Sequence, residues 1–183
     1  MFQLKRKLVL LAATTSLLGL SASTFAADGT INFTGKFVDT TCNVQFENGN
    51  NTAAVDLGSY SVTALAATND LTTTKPIKIS LSDCPAKNNA VNIEFTSNNT
   101  NADGHTYIVT GSNEISKTDI GVALFTDNAQ TSQIIPASTQ IPVTLTETKG
   151  DTTVYASFKR IKSSGTLTAD EVSSTATFNI NYL

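Results

Sequence analysis

Apolar and polar residues alternate in short bursts along most of this chain. Ile77, Ile79 and Leu81 alternate with Lys78 and Ser80 up to Asp83-Cys84-Pro85. Val91, Ile93 and Phe95 alternate with Asn92 and Glu94 and meet the polar stretch 97–101. Further runs cover 107–110, ending at Gly111, and 121–125, ahead of Thr126-Asp127-Asn128. Others cover 141–145, 154–158 and 176–182, and a shorter run at 53–57 ends at Gly58. Period two is the signature of a strand with one face buried, and Gly, Asn, Asp and Pro between the runs supply turns. The pattern predicts an all-β sandwich or barrel. A short helical turn is expected at 65–71, and Pro76, Pro85, Pro136 and Pro142 are expected at or near strand ends, where a missing N–H costs least.

The first residues follow a different rule. Lys5, Arg6 and Lys7 precede an apolar run over 8–20, and small residues lead to Ala26 and Ala27. That order is the layout of a secretory signal peptide, with cleavage expected after Ala26. Its 13-residue apolar run is short for a membrane span, so a retained anchor is disfavoured. Three of the 12 basic residues and none of the 15 acidic ones lie in this segment, so the exported part is more acidic than the net charge of −3. An acidic chain with no Lys/Arg cluster lacks the footprint of a nucleic-acid binder. Cys42 and Cys84 both follow the signal, and an even pair in an oxidising compartment predicts a disulfide.

The two ends of the exported chain carry the most information. Ile31, Phe33, Gly35 and Phe37 share one face of an alternating segment, with Asn32, Thr34 and Lys36 on the other. That face therefore has three bulky apolar groups and one gap. At the far end Ala176, Phe178, Ile180 and Tyr182 share a face, and Leu183 follows with no turn and no returning strand. A buried strand in that place needs neighbours on both sides, or it leaves a row of unpaired N–H and C=O groups. Two ordinary strands of a closed fold are the alternative.

Taken in order, these segments resemble the fimbrial (pilus) subunits of the chaperone–usher pathway, the type 1-like pilins. The likeness covers essentially the whole chain. It rests on the Gly35-bearing segment before the first cysteine, the Cys42/Cys84 spacing, Val55-Asp56-Leu57-Gly58 between the cysteines, and Ile79-Ser80-Leu81-Ser82-Asp83-Cys84. It rests also on Gly121-Val122-Ala123-Leu124 and on the terminal strand with penultimate Tyr182. The resemblance implies an incomplete immunoglobulin-like β-sandwich lacking its final strand, and a division into a signal peptide (1–26), an N-terminal donor-strand extension (27–40) and a pilin domain (41–183). It implies a groove beside the last strand, filled first by a periplasmic chaperone and then by the extension of a neighbouring subunit, the strand-addition mode known for chaperones and pilins. Ile31, Phe33 and Phe37 would be the plugs, and Gly35 would fit a shallow part of the groove. Phe178, Ile180 and Tyr182 would line the acceptor groove, and the chaperone would grip the terminal carboxylate of Leu183. Many members end in a polar residue after the tyrosine, and Leu183 departs from that.

The implied function is structural: a major rod subunit, exported through the periplasm and assembled on the cell surface. Its partners would be neighbouring fimbrial subunits, the chaperone and the outer-membrane usher, with no nucleic acid and a host receptor engaged only indirectly. The rivals are a minor or adaptor subunit, a carbohydrate-binding adhesin module, and a secreted enzyme. The chain has room for one exported domain and has no Trp, which weakens the adhesin reading. No cofactor or metal is expected: His105 is a single histidine in a polar loop, and both cysteines are committed to each other. No serine sits in Gly-x-Ser-x-Gly, and there is no Gly-rich phosphate loop.

Overall fold

The computed structural model describes residues 41–85, 89–113, 116–163 and 166–183. Among them run ten strands and one short 3-10 turn, Val62–Leu65. The strands are β1 (Asn43–Gln45), β2 (Lys75–Ser82), β3 (Ala90–Phe95), β4 (Tyr107–Gly111) and β5 (Ser116–Phe125). Then come β6 (Gln133–Ile134), β7 (Gln140–Thr144), β8 (Gly150–Arg160), β9 (Val172–Ser173) and β10 (Phe178–Tyr182). They form a larger sheet in the order β1-β2-β8-β5-β4-β9, with β6 added to β5, and a smaller sheet in the order β10-β3-β7. Neighbours in both sheets are antiparallel.

The two sheets form a sandwich because alternation gives each of them one apolar face. Ile79 and Leu81 of β2, Val109 of β4 and Val154 and Ala156 of β8 meet Val91, Ile93 and Phe95 of β3 and Ile141 and Val143 of β7 in one buried core. Tyr107 is also buried, and its hydroxyl donates to the Thr96 carbonyl at 2.9 Å, so the one polar group on that ring is satisfied. Burial pushes its phenol up to about 12. Arg160, 2% exposed, donates to Asp119 Oδ2 at 3.0 Å, which places its charge against an opposite one.

Gly121 is explained by what crosses it. A Cβ there would lie 2.6 Å from Thr106 Oγ1 and 2.7 Å from Asn101 Nδ2, because the loop ahead of β4 folds onto β5 at that point. The β4–β5 register shifts between Ile108, opposite Gly121, and Val109, opposite Lys117, so the ladder is interrupted there.

Cys42 and Cys84 are joined in a disulfide, with Cα atoms 4.1 Å apart. They flank β1 and β2, so the bond staples a three-residue strand to its only ladder partner among the described residues.

Three local expectations fail. The run at 53–57 is not a strand: residues 53–56 are exposed, the Gly58 N–H donates to Asp56 Oδ1 at 2.8 Å, and Gly58 has φ +93°. The Asp-x-Gly turn ends the run before it pairs with anything. The helical turn starts at Val62, ahead of the expected 65–71, with the Ser61 side chain accepting from the Thr63 N–H. Pro142 lies at the centre of β7 rather than near a strand end, whereas Pro76, the second residue of β2, is near one as expected. β7 is an edge strand, where an inward N–H is not needed at every residue.

Candidate functional site

β10 exists as a strand because Phe178, Ile180 and Tyr182 have a buried apolar face to join. Each stands opposite an apolar residue of β3: Phe178 opposite Phe95, Ile180 opposite Ile93, Tyr182 opposite Val91. The burial of the two strands differs sharply. Val91 and Ile93 are 0% exposed and Phe95 is 5% exposed, whereas Phe178, Ile180 and Tyr182 are only half-buried. The cause lies in the sheet order. β3 has β10 on one side and β7 on the other, while β10 is paired with β3 alone among the described residues.

The backbone of β10 can be assigned by parity. The Thr96 N–H donates to the Thr177 carbonyl at 2.8 Å, so the even residues of β3 bond toward β10. In an antiparallel ladder, opposed pairs alternate between exchanging both bonds and exchanging none. The Asn179–Glu94 and Asn181–Asn92 pairs are therefore the bonded ones. Phe178, Ile180 and Tyr182 direct their N–H and C=O groups to the side of β10 away from β3. The same three residues offer an apolar face inward and a hydrogen-bonding edge sideways. An incoming extended segment would find both at a spacing that matches its own alternation.

The opposite rim of this opening is β1. The Cys42 N–H donates to the Tyr182 hydroxyl at 2.7 Å, and the rings of Phe46 and Phe178 meet edge-on with centroids 6.3 Å apart. Low numbers thus meet high ones, so β1 and β10 run antiparallel along the two rims. Val44, half-buried, falls between these contacts, as Ile180 does on the other rim. Phe178 is held further by Phe95, at 5.5 Å between centroids. The result is a floor of apolar side chains bridging the edges of the two sheets. The outer face of β10 is polar by contrast: Asn181 Nδ2 donates to Glu94 Oε2 at 3.1 Å.

Each residue singled out in the sequence has a plain outcome. Phe178, Ile180 and Tyr182 share one face of β10, and Leu183 follows them, 65% exposed. Ala176 precedes the strand and is exposed. Ile31, Phe33, Gly35 and Phe37 lie outside the described residues. Val44, Phe46 and the Cys42 N–H were missed in the sequence, although Cys42-Asn43-Val44-Gln45-Phe46 itself alternates and carried the signal. His105 is exposed, its N–H donating to Asp103 Oδ1 at 3.0 Å. Among the described residues no three His, Cys, Asp or Glu side chains gather as metal ligands, and no helix is long and apolar enough to cross a membrane.

Comparison with known proteins bears directly on this geometry. The family model described as "Fimbrial protein" matches residues 31–183. Long polar fimbria protein A of Salmonella typhimurium (strain LT2) is 30% identical, over 93% of this chain and 94% of its own. The probable major fimbrial subunit LpfA of Escherichia coli O157:H7 is 28% identical over the same shares. The solved structure of a chaperone–usher pilus, which bears on rod uncoiling, superposes with a TM-score of 0.59 at 19% identity, covering 86% of this chain and 96% of that one. At that identity the superposition speaks to the fold: an incomplete immunoglobulin-like sandwich. A match over residues 31–183, joined to a sandwich whose last strand pairs with β3 alone among the described residues, makes this chain a member of the fimbrial protein family, a structural and non-enzymatic family of surface pilus subunits.

Proposed function

We propose that this chain is the major rod subunit of a chaperone–usher fimbria and polymerises head-to-tail by donor-strand exchange. The observation that carries the reading is β10, paired among the described residues with β3 alone, with a half-buried apolar face and backbone groups directed away from β3 at Phe178, Ile180 and Tyr182. The donor is the segment 27–40, whose Ile31, Phe33 and Phe37 enter the opening of a neighbouring subunit while Gly35 passes over a shallow part of the floor. Fully burying each plug contributes roughly 1.5–3 kcal/mol, and ladder bonds to β10 add to it. Because donor and acceptor are different surfaces, the contact does not close on itself and an open filament results. The signal peptide 1–26 sends the chain to the periplasm. There a chaperone covers the opening and holds the Leu183 carboxylate, and the outer-membrane usher then passes the subunit to the fibre. The similarity to a relative named a probable major subunit favours the rod over an adaptor role.

The test appends a copy of residues 28–40 after Leu183 through a short flexible linker. The expected product is a monomer that unfolds at a markedly higher denaturant concentration than the unmodified exported chain. An unmodified chain that is already a durable monomer, unchanged by the added strand, would overturn the reading. Abundance of the chain in sheared fimbriae separates the rod from the adaptor role.

A further inference from the structure

The smaller sheet has two edges, and they are not alike. β10 forms one, and its sequence Phe-Asn-Ile-Asn-Tyr keeps every backbone donor. β7 forms the other, paired among the described residues with β3 alone, and it carries Pro142 at its centre. Pro142 stands opposite Asn92, and Val91–Val143 and Ile93–Ile141 are the flanking pairs. The Leu145 N–H donates to the Asn89 carbonyl at 2.9 Å, which fixes the parity: odd residues of β7 bond inward. The outward groups therefore belong to Gln140, Pro142 and Thr144. The middle one has no N–H, and its ring occupies the line that a further strand would take. Gln140, Pro142 and Thr144 are all exposed, so no other described element covers this edge.

We infer that Pro142 is a specificity-determining residue for assembly: it blocks strand addition at β7 and leaves β10 as the one edge of the smaller sheet that accepts a strand. The physical need is plain. A chain that polymerises through an open edge must prevent its other edge from templating the same event, or fibres would branch and aggregate sideways. The directing role rests on the reading of β10 as the polymerising edge. The block at β7 stands apart from it.

The experiment compares variants in the chain carrying residues 28–40 after Leu183. Pro142→Val restores an outward N–H and adds a strand-favouring side chain. Self-association, read by light scattering across a concentration series, is expected to strengthen roughly tenfold over the parent, about what one regained ladder bond is worth. Adding Thr144→Lys, which sets a charge on the same edge, is expected to return the variant to the parent's state. A Pro142→Val protein that associates no more than the parent overturns the proposal. So does association that Thr144→Lys leaves unchanged, since that marks misfolding rather than edge pairing. All variants share the same β10, so the comparison reads the β7 edge whether or not the appended strand fills the other.

Discussion

Tyr182 is where the two rims of the opening touch. Its side chain packs over the core while its hydroxyl accepts the Cys42 N–H at 2.7 Å, a donor that β2 does not use. Tyr182→Phe keeps the ring and removes the acceptor. In the strand-complemented chain this change is expected to lower stability by about 1 kcal/mol, seen as a lower urea midpoint at unchanged slope; an unshifted midpoint would mean that water serves Cys42 equally well. The penultimate tyrosine was visible in the sequence, but its partner was not. The bond joins residues 140 positions apart, and no local pattern encodes which free N–H a hydroxyl will reach. Gly121 was likewise visible as part of Gly-Val-Ala-Leu, and only the loop carrying Asn101 and Thr106 explains why a side chain is excluded there.

At the scale of elements, the strands that alternate over five or more residues were legible, and the shortest were not. β6 and β9 are two residues each, too short to show a period, and they pair only because longer neighbours present an edge to them. β9 is held by side chains as well as by its ladder. Asp170 accepts from Ser112 Oγ at 2.6 Å and lies 2.8 Å from Lys117 Nζ, which ties the segment before β9 to the end of β4 and to β5. The Lys117 ammonium, with Ser112, lowers the Asp170 carboxyl from 3.8 to about 2. A depressed carboxyl stabilises the fold above its ordinary pKa, and that contribution is lost as pH falls through its folded value. The tie is thus expected to be complete above pH 4 and to release between about 4 and 2. A carboxyl resonance of Asp170 titrating near 2, together with faster amide exchange at Val172 below that pH, would show it. An Asp170 titrating near 4 would contradict it.

At the scale of the described fold, a covalent bond ties the short strand β1 into the sandwich. β1 is three residues long, pairs with β2 alone among the described residues, and forms one rim of the opening. Without the Cys42–Cys84 link that rim would depend on its ladder bonds to β2, the Cys42–Tyr182 bond and the packing of Val44 and Phe46. The bridge spans a sequence separation of 42, and closing a loop of that size stabilises by roughly 4 kcal/mol in the chain-entropy picture. The double change Cys42→Ser/Cys84→Ser is expected to cost about that much in the strand-complemented chain, measured by denaturant unfolding. A loss below about 1 kcal/mol would show that β1 holds its place by packing alone.

By itself the amino-acid sequence determined the all-β class, most of the long strands, the cysteine pair and the apolar face of the last strand. All of these follow from composition or from a two-residue period, which are local properties. The tertiary structure alone decided which strand stands beside which among the described residues. It set β10 beside β3 with nothing further out among the described residues, placed β1 across from it, and put Pro142 on an edge rather than in a sheet interior. It also left the run at 53–57 without a ladder partner, with 53–56 exposed and Gly58 closing an Asp-x-Gly turn after it. The reason is the same in each case. Alternation says that a segment has two faces, but the neighbour each backbone edge finds is set by pairings between residues far apart in the chain.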